Sequence, residues 1–230
     1  MASTRDSGRV TTDAGPAGVS VAVGRDIQAV FEKDAPWYTS GAIEFLDSID
    51  FSRLVGLEYG GGGSSLWWAR RLDALFTVEA NVKWALAIMH NFRQSPELLA
   101  KWRLSLVPAN WHHRENGALK LKNEWQRNPE LITPERVEQL EADYLRPPTD
   151  RADVVMIDGA IRRETVEMFG DWVSNRRVRY IVVDNTESDH TSEACSRVFH
   201  NYHRYDFWES DSSLIPTGQL SWMTTIFTLD

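Results

Sequence analysis

The sequence predicts an α/β fold built on a doubly wound, mostly parallel sheet. Three observations lead there. Short apolar segments alternate with segments of helical spacing, several of the apolar ones end in a carboxylate, and the glycine run Gly60–Gly63 joins the first of them to the next helix. In such a sheet a ligand binds beyond the carboxyl ends of the strands.

Taken in order, Asp26–Phe31 and Gly41–Leu46 place apolar residues at helical intervals. Leu54–Tyr59 reads as a short buried strand stopped by the glycines, and Ser64–Leu72 as a helix that opens on two serines. Ala74–Glu79 is the next strand, Val82–Phe92 a helix and Trp102–Val107 a third strand. Residues 111–150 then break the alternation. Within them Thr133 is an N-cap ahead of Pro134, and the helix it starts runs to about Tyr144, where Pro147 and Pro148 prevent continuation. So long a connection suits a helical insertion that recognises a substrate or closes over it. Asp153–Gly159 and Arg179–Asn185 are further strands that run into acidic residues, with Arg163–Val173 helical between them. The tail from Tyr202 to Leu229 is rich in β-formers, above all Ser221–Phe227. Residues 1–25 are small, polar and glycine-rich, and read as a flexible leader before a single domain over 26–230.

The 230 residues suit one domain, and 42% hydrophobic with 25% charged is a globular balance. A formal net charge of −8 argues against nucleic acid as a partner. No apolar run reaches the roughly 18 residues of a membrane span, and no apolar core near the start directs export. A soluble, cytoplasmic protein with no membrane partner is expected, and an oligomer is compatible with this. The single cysteine, Cys195, leaves no internal disulfide and no multi-cysteine zinc site.

The most informative segment is Leu57–Ser64, between a strand and a helix, with Glu79 ending the next strand. A phosphate-gripping P-loop needs a Lys-Ser/Thr pair after its glycines, and none follows. The dinucleotide pattern G-x-G-x-x-G is met by Gly60 and Gly62, but its third position is Ser65. Glu58 at the entrance of the loop would repel a pyrophosphate and suit an ammonium group, while Glu79 is placed for the paired hydroxyls of a ribose. A ligand with an amino-acid end and a nucleoside satisfies both, and S-adenosylmethionine has both. The plain alternative is a flexible glycine loop.

Glu58-x-Gly60-x-Gly62, Glu79 and Asp158 resemble the first, second and fourth motifs of class I S-adenosylmethionine-dependent methyltransferases, over roughly residues 40–230 in strand order. The resemblance is specific in the glycine motif and loose elsewhere. It implies a Rossmann-like sheet closed by an antiparallel C-terminal strand, since Asp206-Phe207 and Trp222–Phe227 are similar to the terminal strands of bacterial members. By it Glu58 organises the methionine end of the cofactor, Gly60 and Gly62 line it, Glu79 holds the ribose, and Asn110 with Trp111 lies beside adenine. The implied cofactor-binding set also includes Tyr59, Ser64, Ala80 and Asp158. The insertion at 111–150 departs from the compact pattern of the family.

Asp158, Asp184 and Asn185 end neighbouring strands, an all-oxygen set that suits Mg²⁺ or another divalent cation. Their spacing resembles the metal triad of catechol-type O-methyltransferases, where the metal holds substrate oxygens and acidifies the attacking hydroxyl. The lysine base of that family is replaced by Ile161, and Arg162 and Arg163 are too basic to accept a proton. The alternative leaves Asp158 on the cofactor and Asp184-Asn185 closing a turn. His190, in a loop leaving this rim, is a candidate auxiliary base with Asp158. His112-His113, His200 and His203 make no metal pattern, Trp67, Trp68 and Trp84 read as core packing, and Cys195 has no activating partner. The expected activity is methyl transfer to a hydroxyl of a small molecule or saccharide, assisted by a divalent metal. The alternatives are a metal-independent methyltransferase and a cofactor-binding module without turnover.

Overall fold

The computed structural model describes residues 25–32, 35–109, 111–115, 118–121, 133–176, 178–211, 213–214 and 221–229. Apart from Arg25, the leader expected over 1–25 lies outside these residues, as does Asn110.

Helices α1 (Arg25–Glu32) and α2 (Ser40–Asp47) precede strand β1 (Val55–Tyr59), after which helix α3 (Gly63–Arg71), strand β2 (Ala74–Glu79) and helix α4 (Val82–Phe92) follow. Helix α5 (Pro96–Lys101) leads into strand β3 (Trp102–Leu106). The insertion holds strands β4 (Trp111–Glu115) and β5 (Ala118–Leu121) and then helix α6 (Pro134–Leu145). The core resumes with β6 (Val154–Ile157), α7 (Arg162–Arg176), β7 (Tyr180–Asp184), α8 (Asp189–Val198), β8 (His203–Trp208) and β9 (Met223–Thr228).

Seven strands form one sheet in the order β3-β2-β1-β6-β7-β9-β8. The first five are parallel, and β9 runs antiparallel to both β7 and β8. The doubly wound sheet with an antiparallel C-terminal strand is therefore as expected. Strands β1 and β6 are buried along their whole length, as parallel strands covered on both faces must be. Side chains alternate between two cores. Leu57, Tyr59, Val155, Ile157, Ile181 and Val183 pack towards α6, α7 and α8 around Tyr144, Phe169 and Phe199. Val154, Met156, Val182 and Ile226 pack the other way, against Leu46, Trp68, Ile88 and Phe92 of α2, α3 and α4. The chain reverses its direction across the sheet between β1 and β6, which opens a crevice at their carboxyl ends.

The insertion differs from the helical one expected. Its first part is an antiparallel hairpin whose strands, among the described residues, pair only with each other, Trp111 opposite Leu121. Its second part is the expected helix, with the Thr133 hydroxyl accepting the N–H of Arg136. Tyr144 of that helix is fully buried against Tyr59 and Phe169, so α6 belongs to the main core.

Candidate functional site

A cavity of about 450 Å³ lies at the carboxyl ends of β1, β2, β6 and β7. The glycine loop, the segments after β2, β6 and β7, and Val30 and Trp37 from the N-terminal elements line it. Among the described residues its charged lining is Glu79, Asp158 and Asp184 against one cation, Arg162.

Glu58 is fully buried beneath the loop and is not part of the lining. Its Oε1 accepts the Ser64 hydroxyl at 2.6 Å, and its Oε2 accepts those of Ser65 at 2.6 Å and Thr77 at 3.0 Å. Thr77 is its register partner on β2 and in turn accepts the Trp102 indole N–H at 2.9 Å. Ser65 Oγ also accepts the Gly62 N–H at 3.1 Å. Glu58 thus ties the start of α3 to β1 and β2 through hydroxyls. Its carboxylate is turned to these hydroxyls beneath the loop, so any hold it has on the methionine end of a cofactor passes through the loop. Burial pushes its carboxyl up to about 7, against the pull of the three hydroxyls.

Glu79 does line the cavity. Its Oε2 accepts the Gly61 N–H at 2.7 Å and its Oε1 the Asn81 N–H at 2.6 Å, which fixes the carboxylate at the end of β2. Burial raises it to about 7. Gly60 has φ +85°, and a Cβ there would stand 2.3 Å from the Gly159 backbone. The ends of β1 and β6 therefore meet backbone to backbone, which only glycine permits.

At the other end Asp184 is buried. Its Oδ1 accepts the Thr224 hydroxyl at 2.7 Å and the Trp222 indole N–H at 3.0 Å, and Oδ2 has no donor among the described residues. Burial and the neighbouring Asp158 charge raise it to about 8. Asp158 is partly exposed, and its Oδ1 accepts Arg162 Nη2 at 2.8 Å. The same Nη2 donates to the Asp158 carbonyl at 2.7 Å. Ile161 (φ 46°) and Asn185 (φ 55°), just after β6 and β7, adopt the left-handed conformation that non-glycine residues seldom take.

Asp158, Asp184 and Asn185 do converge on one cavity, but the donor set does not fit a divalent ion. A guanidinium already neutralises Asp158, and Asp184 spends Oδ1 on two protein donors. Among the described residues no group of three His, Cys, Asp or Glu side chains is arranged to hold a metal. Gly60, Gly62, Ser64 and Ala80 line the cavity. Tyr59 does not; it is buried in the core beside Tyr144. Trp111 is on the hairpin, and Asn110 is outside the described residues. His190 is in the first turn of α8 rather than a loop, is exposed, and is not part of the lining. Sequence reasoning missed Arg162, Trp37 and Trp222 as lining residues; Trp84 packs against the core, as a core or near-core reading has it, and also lines the cavity. Cys195 is buried, which pushes its thiol up to about 12 and keeps it inert. Among the described residues no helix is long and apolar enough to cross a membrane.

No family model matches the chain, and no curated protein matches it in sequence. Similar solved structures include the candidate methyltransferase YhhF of Escherichia coli, 12% identical, covering 91% of this chain and 92% of that one at a TM-score of 0.48. A methyltransferase-like protein of Silicibacter pomeroyi is 15% identical, covering 84% and 90% at 0.47. The C-terminal domain of precorrin-6Y C5,15-methyltransferase from Rhodobacter capsulatus is 12% identical, covering 85% and 97% at 0.46. These likenesses are loose.

Proposed function

We propose that the cavity binds S-adenosylmethionine and that the protein transfers its methyl group to a hydroxyl of a small molecule or sugar. Glu79 is the observation behind this reading: a carboxylate fixed by two backbone N–H groups, beside a glycine loop, in a lining whose balance is acidic. Beyond those two bonds Glu79 keeps lone pairs for the paired hydroxyls of a ribose. The Gly60–Gly62 backbone leaves room for a chain to pass close by, and Ala80, Asn81 and Ala109 offer the small surface that an adenine needs. An acidic lining favours a ligand bearing sulfonium and ammonium charges and opposes the pyrophosphate of a dinucleotide.

When bound, this cofactor supplies a methyl group already activated by positive sulfur. The chain's part is to align the acceptor, exclude water and take up its proton. Trp37 gives the acceptor an exposed indole surface, and Asp184, whose Oδ2 has no donor among the described residues, is the group we assign to the proton in place of His190. Asp158 is already paired with Arg162, so the reaction we propose is the metal-independent one.

The test is a set of thermal melts with S-adenosylmethionine, S-adenosylhomocysteine and NAD, each with and without Mg²⁺. A ligand at about 100 times its dissociation constant adds ~2.7 kcal/mol, a rise of roughly 5–10 °C for a domain of this size. A shift with both adenosyl compounds and none with NAD is expected. No adenosyl shift at saturation overturns the reading.

A further inference from the structure

We propose that Arg162 is the clamp for the α-carboxylate of the bound cofactor, an assignment that rests on the function proposed above. Arg162 is the first residue of α7, lines the cavity and keeps 27% of its side chain exposed. Both of its hydrogen bonds leave from Nη2, to the carbonyl and Oδ1 of Asp158. Nη1 meets no acceptor among the described residues, and the buried Nε has none either. A guanidinium carries five N–H donors in a planar fork suited to a carboxylate, so this one is held by one corner with the rest of the fork unspent. Leaving the buried Nε dry is costly, and Nη1, on a side chain that is 27% exposed, is open to an acceptor that arrives with the ligand.

The placement along the rim agrees. Strands β2, β1 and β6 are consecutive, and neighbours in a sheet stand about 4.8 Å apart, so Glu79 and the residues after β6 are separated by roughly 10 Å. An extended chain from a ribose to the α-carboxylate of S-adenosylhomocysteine spans about that distance. With the ribose on Glu79 and the chain over the glycine loop, the amino-acid end falls at Asp158 and Arg162. The two side chains then divide its charges, Asp158 facing the ammonium and Arg162 the carboxylate. The clamp is also consistent with the turn that builds it, since the positive φ of Ile161 sets α7 so that its first side chain folds back over Asp158.

The experiment is calorimetric titration of the full chain and its R162M and R162K variants. The ligands are S-adenosylhomocysteine and its decarboxylated analogue, which keeps the adenosine, thioether and amine. Arg162→Met is expected to weaken S-adenosylhomocysteine by about 10–100-fold and the analogue by no more than about twofold. Arg162→Lys should recover part of the loss, as a point charge without the fork, and it serves as the test if R162M fails to fold. An equal loss on both ligands would make Arg162 a structural partner of Asp158 and overturn the clamp. No loss on either also overturns it and leaves the fork to an acidic acceptor. If the unaltered protein binds neither ligand, it is the cofactor reading that has failed.

Discussion

Glu79 Oε2 accepts the Gly61 N–H at 2.7 Å, so the end of β2 and the loop after β1 form one hydrogen-bonded unit. Replacing Glu79 by Ala removes the proposed ribose partner and leaves two backbone N–H groups without their acceptor. The expected result is a fall of about 10–100-fold in affinity for S-adenosylhomocysteine and a stability loss of about 1–3 kcal/mol. Titration calorimetry and a denaturant melt measure both. Unchanged affinity would remove Glu79 from the site.

Two glycines of the same loop should behave oppositely. Gly60→Ala forces a side chain into a positive φ and against the Gly159 backbone, a cost of about 2–4 kcal/mol. Gly62→Ala is expected to stay within about 0.5 kcal/mol, because its backbone is extended and the nearest atom to a Cβ, on Trp84, is 3.7 Å away. Denaturant midpoints of the two variants decide it, and similar losses would contradict the loop geometry.

Buried carboxylates give the ligand-free protein a characteristic response to pH. Burial raises Glu58 from an ordinary 4.5 to about 7, so folding favours its protonated form. That contribution is fully present below the unfolded value and is lost as pH rises through 4.5 towards 7. Glu79 and Asp184 act in the same direction, Asp184 up to about 8. The melting temperature should therefore fall between about pH 5 and pH 8, and Glu58→Gln should make the fall shallower. Parallel curves for the two proteins would show that Glu58 titrates normally.

Divalent ions should have no effect. With Asp158 held by Arg162, neither Mg²⁺ nor a chelator is expected to move the melting temperature or the affinity for S-adenosylhomocysteine. A Mg²⁺-dependent rise in either would restore Asp158, Asp184 and Asn185 as metal ligands.

The sheet was legible because a strand such as Val154–Ile157 is an uninterrupted apolar run, and because Gly60–Gly63 marks the first crossover. Helix α8 was not, since its opening Asp189-His190-Thr191-Ser192 is polar and its buried residues are only Thr191, Ala194 and Cys195. Helix α5 has six residues, too few for a periodic signal, though Ser95-Pro96 is a start signal of the usual kind. The hairpin was hidden because both strands are short, five and four residues. Within the site, Glu79 and Gly60 follow from motif spacing, whereas the role of Glu58 depends on which hydroxyls lie beneath the loop. Arg162 escaped notice for a geometric reason. Its reach back to Asp158 follows a left-handed turn at Ile161, a β-branched residue from which no such turn is read.

The most direct test of the central claim, that the rim cavity is an adenosyl-cofactor site, is a crystal structure of the protein with S-adenosylhomocysteine. Both ribose hydroxyls are expected within hydrogen-bond distance of Glu79, with the thioether chain lying over Gly60–Gly62. A ligand bound elsewhere, or in this cavity with its ribose turned away from Glu79, would contradict it.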